Sequence, residues 1–346
     1  MSKTLQDYAT LINDTIQSNE INHYITTDNM CQNLGGIDTF KNINIPQGKV
    51  RSFQKDDVLL SNIRLYFRKV YRAKQKGGCS SDVLVFRAKH IDSATLFAIL
   101  SSQIFTDYAC SGSQGSKMPR GNKTHMMNFK IPTINFTIAK IFNSIQNKIE
   151  NNHKINELLH TLAYKIYEYY FKYKPKNAKL EQIIIENPKS NIMVKNAQKT
   201  QDKYPFFTSG DNILTYPKAI IDGRNCFLNT KGNAGIKFYV GKASYSTNTW
   251  CICANEFSDY LYLLLSSIKN HINQSFFQGT NLKHLQKNLL KKYPIYMPSA
   301  HEIKKFNQII IPLLTLISIN TRTSKKLEQI RNFLLPLLLK QQVKPQ

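Results

Sequence analysis

Apolar and polar positions run through this chain in two successive passes of the same order. Residues 57–171 and 219–338 lie about 165 positions apart; each opens on an apolar strand run and a loop carrying glycine with arginine or lysine. Ser-rich strands follow, then an apolar helix ending Leu100-Ser101-Ser102 or Leu265-Ser266-Ser267. A Gly-rich loop, a proline-bearing stretch (Ile131-Pro132; Met297-Pro298) and a long heptad helix close each pass. This order predicts an α+β protein: two globular α/β domains separated by two long antiparallel coiled-coil helices, related by a pseudo-two-fold repeat. The domains are expected at 1–135 and 176–299, the helices at 136–175 and 300–342.

The first helix places apolar side chains at Ile138, Ile141, Ile145, Ile155, Leu159, Leu162, Ile166 and Tyr169, in 3–4 alternation, with Lys148 and Asn152 in the two remaining slots. A shift of 168 residues reproduces the stripe at Phe306, Ile309, Leu313, Leu316, Leu327, Ile330, Leu334 and Leu337, interrupted by Asn320 and Thr323. Since 168 is a whole number of heptads, Asn152 and Asn320 occupy equivalent positions. One reading packs each helix on its own domain. The sharper one packs the helices on each other, with the two asparagines meeting to fix register. A helix of roughly 35 residues is about 50 Å long and would hold two domains at a set distance. Pro312 and Pro336 predict bends near Ile311 and near the C-terminal end.

In the first domain, strands are expected at Val58–Leu60, Tyr66–Tyr71 and Val83–Phe86, with a short helix at about 92–106. Between the first two strands stand Asn62, Arg64, Tyr66, Arg68 and Lys69. Arginine can fork onto guanine, asparagine can pair with adenine, and lysine neutralises phosphate. A basic-edged amphipathic strand would carry the same residues. The loop Cys110–Asn122 adds Ser113, Gln114, Lys117 and Arg120, hydroxyls and cations suited to phosphate, though a flexible connector would also look so. In the second domain the corresponding candidates are Arg224, Asn229, Lys231, Asn233 and Lys237, followed by Gln278 and Thr280. The two modules share order and spacing but hardly any loop residues, as expected of duplicated scaffolds that read different half-sites.

Charge strengthens the nucleic-acid reading. Lys and Arg number 47 against 22 Asp and Glu in 346 residues, a formal charge of +25. The cations are spread through both halves rather than gathered in a tail, which favours a folded surface laid along nucleic acid, DNA or RNA by charge alone and double-stranded DNA on the two-half-site reading. MSKTLQDYAT lacks the apolar core of a signal peptide, and the most apolar run, Ile309–Ile319, is too short to span a bilayer, so a cytoplasmic location with no membrane partner is expected. The six cysteines form no CxxC pair and the histidines no metal-ligand spacing, so buried reduced thiols and no bound metal are expected.

Catalytic signatures do not emerge. Asn187-Pro188 is followed by Lys189, and Tyr204-Pro205-Phe206 lacks a preceding Asn or Asp, so the adenine-methylation motif is missing. Acids are scarce and unclustered, and no Walker, HExxH or GxSxG sequence occurs. Glu302 reads as an acid at a helix N-terminus. The chain is expected to bind rather than catalyse, with no catalytic residue and no cofactor of its own.

Four stretches carry a family resemblance: Tyr24–Met30 with Gly35-Gly36, Asp57–Arg64, Ile155–Leu158 through Ile166–Phe171, and Lys326–Leu337. They resemble a specificity (S) subunit of a type I restriction-modification system, over nearly the whole chain. The resemblance implies two target-recognition domains, each reading half of a bipartite sequence across the helical spacer. It also implies two docked methyltransferase (M) subunits and a restriction (R) subunit for cleavage, with S-adenosylmethionine, ATP and magnesium held by those partners. The chain is short for such a subunit and lacks the glycine that often follows the final Leu-Leu-Pro. Its length equally suits the recognition subunit of a type IIB enzyme. A DNA-modifying enzyme with an unrecognised active site and a coiled-coil scaffold with no DNA role are the rivals from other classes.

Overall fold

The computed structural model describes residues 3–38, 43–131, 134–197, 203–210, 213–279 and 282–339. The chain divides into two units, Met1–Asn151 with Ser324–Gln346, and Asn152–Thr323.

The first unit runs α1 (Leu5–Tyr8), β1 (Ala9–Ile12), β2 (Thr15–Gln17), β3 (Tyr24–Ile25), β4 (Lys49–Phe53), β5 (Val58–Ser61), β6 (Val70–Arg72), β7 (Gly77–Cys79), β8 (Val83–Ala88), α2 (Ser93–Leu100), α3 (Gln103–Ser111) and α4 (Lys123–Met127). An antiparallel sheet has the order β1-β8-β5-β6, and a second sheet the order β2-β4-β7-β3. The central strand β5 explains its unbroken apolar run: Leu59 enters one core cluster while Val58 and Leu60 enter another, so both faces are buried.

Two expected elements differ. The strand placed at Tyr66–Tyr71 is a short 3-10 turn, Leu65–Phe67, and only β6 is extended. Arg64 and Arg68 flank that turn in the left-handed region (φ 51° and 49°), which no strand accommodates. The helix at 92–106 is two helices, because the buried Ser102 stops the first and caps the second, its hydroxyl accepting from Phe105 N at 3.2 Å.

α5 (Phe136–Tyr167) begins in the first unit and ends in the second, where a π-turn, Glu168–Lys172, prolongs it. The second unit continues through β9 (Ala178–Lys179), β10 (Ile185–Glu186), α6 (Val194–Ala197), β11 (Tyr204–Phe207), β12 (Leu214–Tyr216), β13 (Arg224–Asn229), β14 (Ile236–Val240), β15 (Ser244–Tyr245) and β16 (Thr249–Cys253). It closes with α7 (Ser258–Ser267), α8 (Lys269–Ser275), β17 (Phe277–Gln278), β18 (His284–Leu285), α9 (Lys287–Lys291), β19 (Pro294–Ile295) and α10 (Ala300–Leu338). Its main sheet, β10-β16-β13-β14, repeats the antiparallel order of β1-β8-β5-β6.

α10 starts from a capping box. Ser299 N donates to Glu302 Oε2 at 2.9 Å while Glu302 N donates to Ser299 Oγ at 3.3 Å. The Ser299 backbone bond first, then the Tyr296 and Ser299 hydroxyls, hold the Glu302 carboxyl below its ordinary value. Neither Pro312 nor Pro336 interrupts the helix. Among the described residues no helix is long and apolar enough to cross a membrane.

Within each unit α5 and α10 run antiparallel. In the second, Tyr170 packs on Phe306 and Asn320 Nδ2 donates to Asn156 Oδ1 at 3.0 Å. In the first, Arg331 Nη1 donates to Gln146 Oε1 at 2.7 Å and Asn135 N to Leu338 O at 3.1 Å. The expected partner of Asn320 is therefore corrected. In an antiparallel pair, repeat-equivalent positions lie on opposite sides of the centre, so Asn320 pairs with Asn156, one turn beyond its repeat mate, the buried Asn152.

The buried face also differs from the apolar stripe by one position. Phe142, Gln146, Ile149, Ala163 and Tyr167 each sit one position past a stripe residue and are buried, as is Asn152 within the stripe, whereas Ile141, Ile155, Leu162 and Tyr169 are exposed. A heptad assumes one neighbour, and each helix here has two. Phe142 meets Phe97 of its own domain at 5.5 Å, and Phe171 meets both Tyr260 and Phe306, at 5.2 and 4.9 Å.

Candidate nucleic-acid interface

The two polar loops of the first unit form one structure. Asn62 N donates to Asp82 O at 2.7 Å, Arg64 N to Pro119 O at 2.9 Å, and Gly121 N to Asn62 O at 3.1 Å. A Cβ at Gly121 would fall 2.1 Å from Met126 Cε and 2.7 Å from Leu65 Cδ1, so these side-chain ends would have to shift to admit one. Leu65 is buried beneath the turn, which leaves the neighbouring Tyr66 ring 53% exposed. Arg64 Nη2 reaches Lys117 O at 3.2 Å, while its Nε has no partner among the described residues. Arg120 grips Asp82 through Nε and Nη2 at 3.1 and 3.3 Å, and that hydrogen bond raises the guanidinium pKa. Gln114 pairs with Arg120 through backbone, and Lys117 is exposed. Asn62, Arg64, Tyr66, Gln114, Lys117 and Arg120 thus share one stitched loop pair.

Other candidates of this unit are engaged internally. Arg68 Nη2 donates to Ser101 O at 2.7 Å, and burial lowers its pKa. Lys69 Nζ donates to Thr27 O at 2.5 Å. Ser113 Oγ donates to Ala109 O at 3.1 Å in the last turn of α3.

The second unit repeats the stitching with different residues. Thr230 N donates to Asn248 O at 3.1 Å, Gly232 N to Lys283 O at 2.9 Å, and Leu285 N to Thr230 O at 3.0 Å. Thr230 and Gly232 stand 168 positions after Asn62 and Arg64, and Lys283 and Leu285 stand 164 after Pro119 and Gly121. The backbone bonds match and the side chains do not. Lys231 lies opposite His284 in this stitch, with the exposed Gln278 on the adjoining strand and Asn233 exposed at the hairpin tip. Thr280 lies outside the described residues.

Asn229, Lys237 and Arg224 do something else. The buried Asn229 gives its Nδ2 hydrogens to Ser209 O and Asn233 O at 2.9 and 3.1 Å. Lys237 Nζ donates to Thr208 O and Gly210 O at 2.8 and 2.5 Å. Arg224 holds Asp259 in a fork and adds Thr315 Oγ1 at 3.0 Å, far along β13 from the loops. Burial raises the Asp259 carboxyl pKa against the pull of Arg224.

A cleft of about 600 Å³ opens beside the second stitch, lined among others by Lys189, Lys231, Thr247, Asn248, Trp250 and Lys287. The Lys287 ammonium sits 5.0 Å over the Trp250 ring, and burial lowers its pKa. Trp250 Nε1 donates to Glu186 Oε2 at 2.7 Å, and Glu186 pairs with Lys291. Sequence reading missed Lys189 and Lys287. The one available signal was the chain's single tryptophan with a lysine-rich 283–292 stretch downstream.

Residues 176–329 match the sequence model of the type I restriction modification DNA specificity domain. The solved S subunit of the type I system from M. genitalium matches with a TM-score of 0.66 at 13% identity, over 99% of this chain and 96% of that one. The HsdS subunit from Thermoanaerobacter tengcongensis matches with a TM-score of 0.37 at 13% identity, over 98% and 96%. No curated protein is matched by the sequence.

Proposed function

We propose that this chain is the non-catalytic DNA-recognition subunit of a restriction-modification complex acting in the cytoplasm. Each unit reads one half of a bipartite duplex target through its stitched loop pair. The observation that carries this reading is the repeated stitch: three backbone bonds recur at matched positions while the residues they present change. Arg64, Tyr66, Lys117 and Arg120 serve the first half-site; Lys231, Gln278 and Lys287 serve the second. Methyltransferase subunits, two by the repeat, dock on the outward apolar residues of the helices, Ile155, Leu158 and Leu162 on α5 and Leu316, Ile330 and Phe333 on α10, all exposed. A restriction subunit joins that assembly, and S-adenosylmethionine, ATP and magnesium are bound by the partners.

Methylome sequencing of cells with and without the chain tests the proposal. The expected result is one bipartite motif that disappears with the chain. Arg64→Ala should weaken only one half-site, by about 1–3 kcal/mol for a base contact. Methylation or cutting of DNA by the purified chain alone would overturn the non-catalytic role.

A further inference from the structure

The first unit buries a guanidinium that its helix packing does not need. Arg331 is 3% exposed and Gln146 1%, and burial pushes the Arg331 pKa down to about 10. At the repeat-equivalent places the second unit carries Ala163 and Leu314, both in its apolar core. At these two places the second unit therefore packs hydrocarbon, and the polar pair of the first unit has another use.

Its hydrogen bonds lead to the candidate loop. Arg331 Nη2 donates to Asn33 O at 3.3 Å, and Gln146 Nε2 donates to Leu34 O at 2.8 Å. Asn33 and Leu34 are consecutive residues in the left-handed region, φ 53° and 61°, a conformation disfavoured by a Cβ. Their own amides face the other way. Asn33 N donates to Phe67 O at 2.9 Å and Leu34 N to Arg68 O at 3.1 Å. Phe67 and Arg68 end the 3-10 turn that begins at Arg64, and Arg68 is itself left-handed.

We infer that Arg331 and Gln146 are positioning residues that clamp the strained Asn33-Leu34 turn and thereby set the Arg64–Arg68 loop from the helix pair. The clamp ties the element that receives partners to the loop that reads the first half-site, and so it rests on the proposed function. The second unit uses a different link, in which Val240 N donates to Ser318 Oγ at 3.0 Å and Arg322 Nη1 to Val240 O at 3.2 Å. Coupling through Arg331 and Gln146 is thus specific to the first unit.

The test uses the full chain carrying Arg331→Met, which fills the space without donors, and Arg331→Lys, which keeps one donor. Hydrogen exchange of the Asn33 and Leu34 amides should accelerate tenfold or more in Arg331→Met, with α7 amides unchanged, and recover in part in Arg331→Lys. Asn33→Gly added to Arg331→Met should recover protection further, because glycine takes the left-handed conformation freely. In the assembled complex, Arg331→Met should lose at least tenfold discrimination at one half-site and keep the other. Unchanged exchange at Asn33 and Leu34, or an equal loss at both half-sites, overturns the clamp. A wild-type complex without any sequence preference would overturn the proposed function while the exchange result still decides the clamp.

Discussion

Arg224 illustrates how a cation is assigned by its neighbours rather than its type. It stood among the DNA-binding candidates of the second domain, yet its guanidinium forks onto Asp259, whose side chain is 2% exposed. Removing one member of a buried pair strands the other charge, at a cost of about 3–5 kcal/mol. Arg224→Ala should accordingly lower the stability of the second unit by about that amount in denaturant unfolding, and Arg224→Ala with Asp259→Leu should regain part of it. Arg68, Lys69 and Lys237 tell the same story with carbonyl acceptors, which leave no trace in a sequence because every residue has one. The residues that remain available, such as Tyr66 and Lys117, were legible by type and loop position. Lys287 was not, because its role depends on Trp250 across the fold.

At the scale of elements, the two long helices and the twofold order of strands were readable, because hydrophobic period and spacing survive the divergence of loops. The Tyr66–Tyr71 strand was misread for a local reason: aromatic and basic residues suit an extended edge, and nothing in their pattern announces left-handed arginines. The buried face of α5 shifted because Phe97 and Tyr260 compete with α10 for it. That shift leaves Leu158 61% exposed and Leu162 48%. Replacing both with Glu should change the stability of the isolated chain by only about 0.5 kcal/mol, as surface substitutions usually do. It should reduce methyltransferase-subunit binding at least tenfold in calorimetry, and unchanged binding would remove this face from the docking surface.

At the scale of the molecule, the charge of +25 has to act together with the two loop pairs. If both engage the backbone of one duplex, some 6–10 phosphates are neutralised and affinity should fall about 10³–10⁵-fold between 50 and 200 mM salt. A flat salt profile in fluorescence anisotropy would leave the charge without its polyanion. The stitch has a further bearing on inheritance. Its donors and acceptors are peptide groups, which every amino acid except proline supplies in full. Mutations that rewrite the side chains at Arg64 or Lys231 therefore leave these backbone bonds in place, though Arg64 also gives up its side-chain bond to Lys117 O. A lineage carrying such a protein can change the residues these loops present one at a time while the backbone bonds that join them persist.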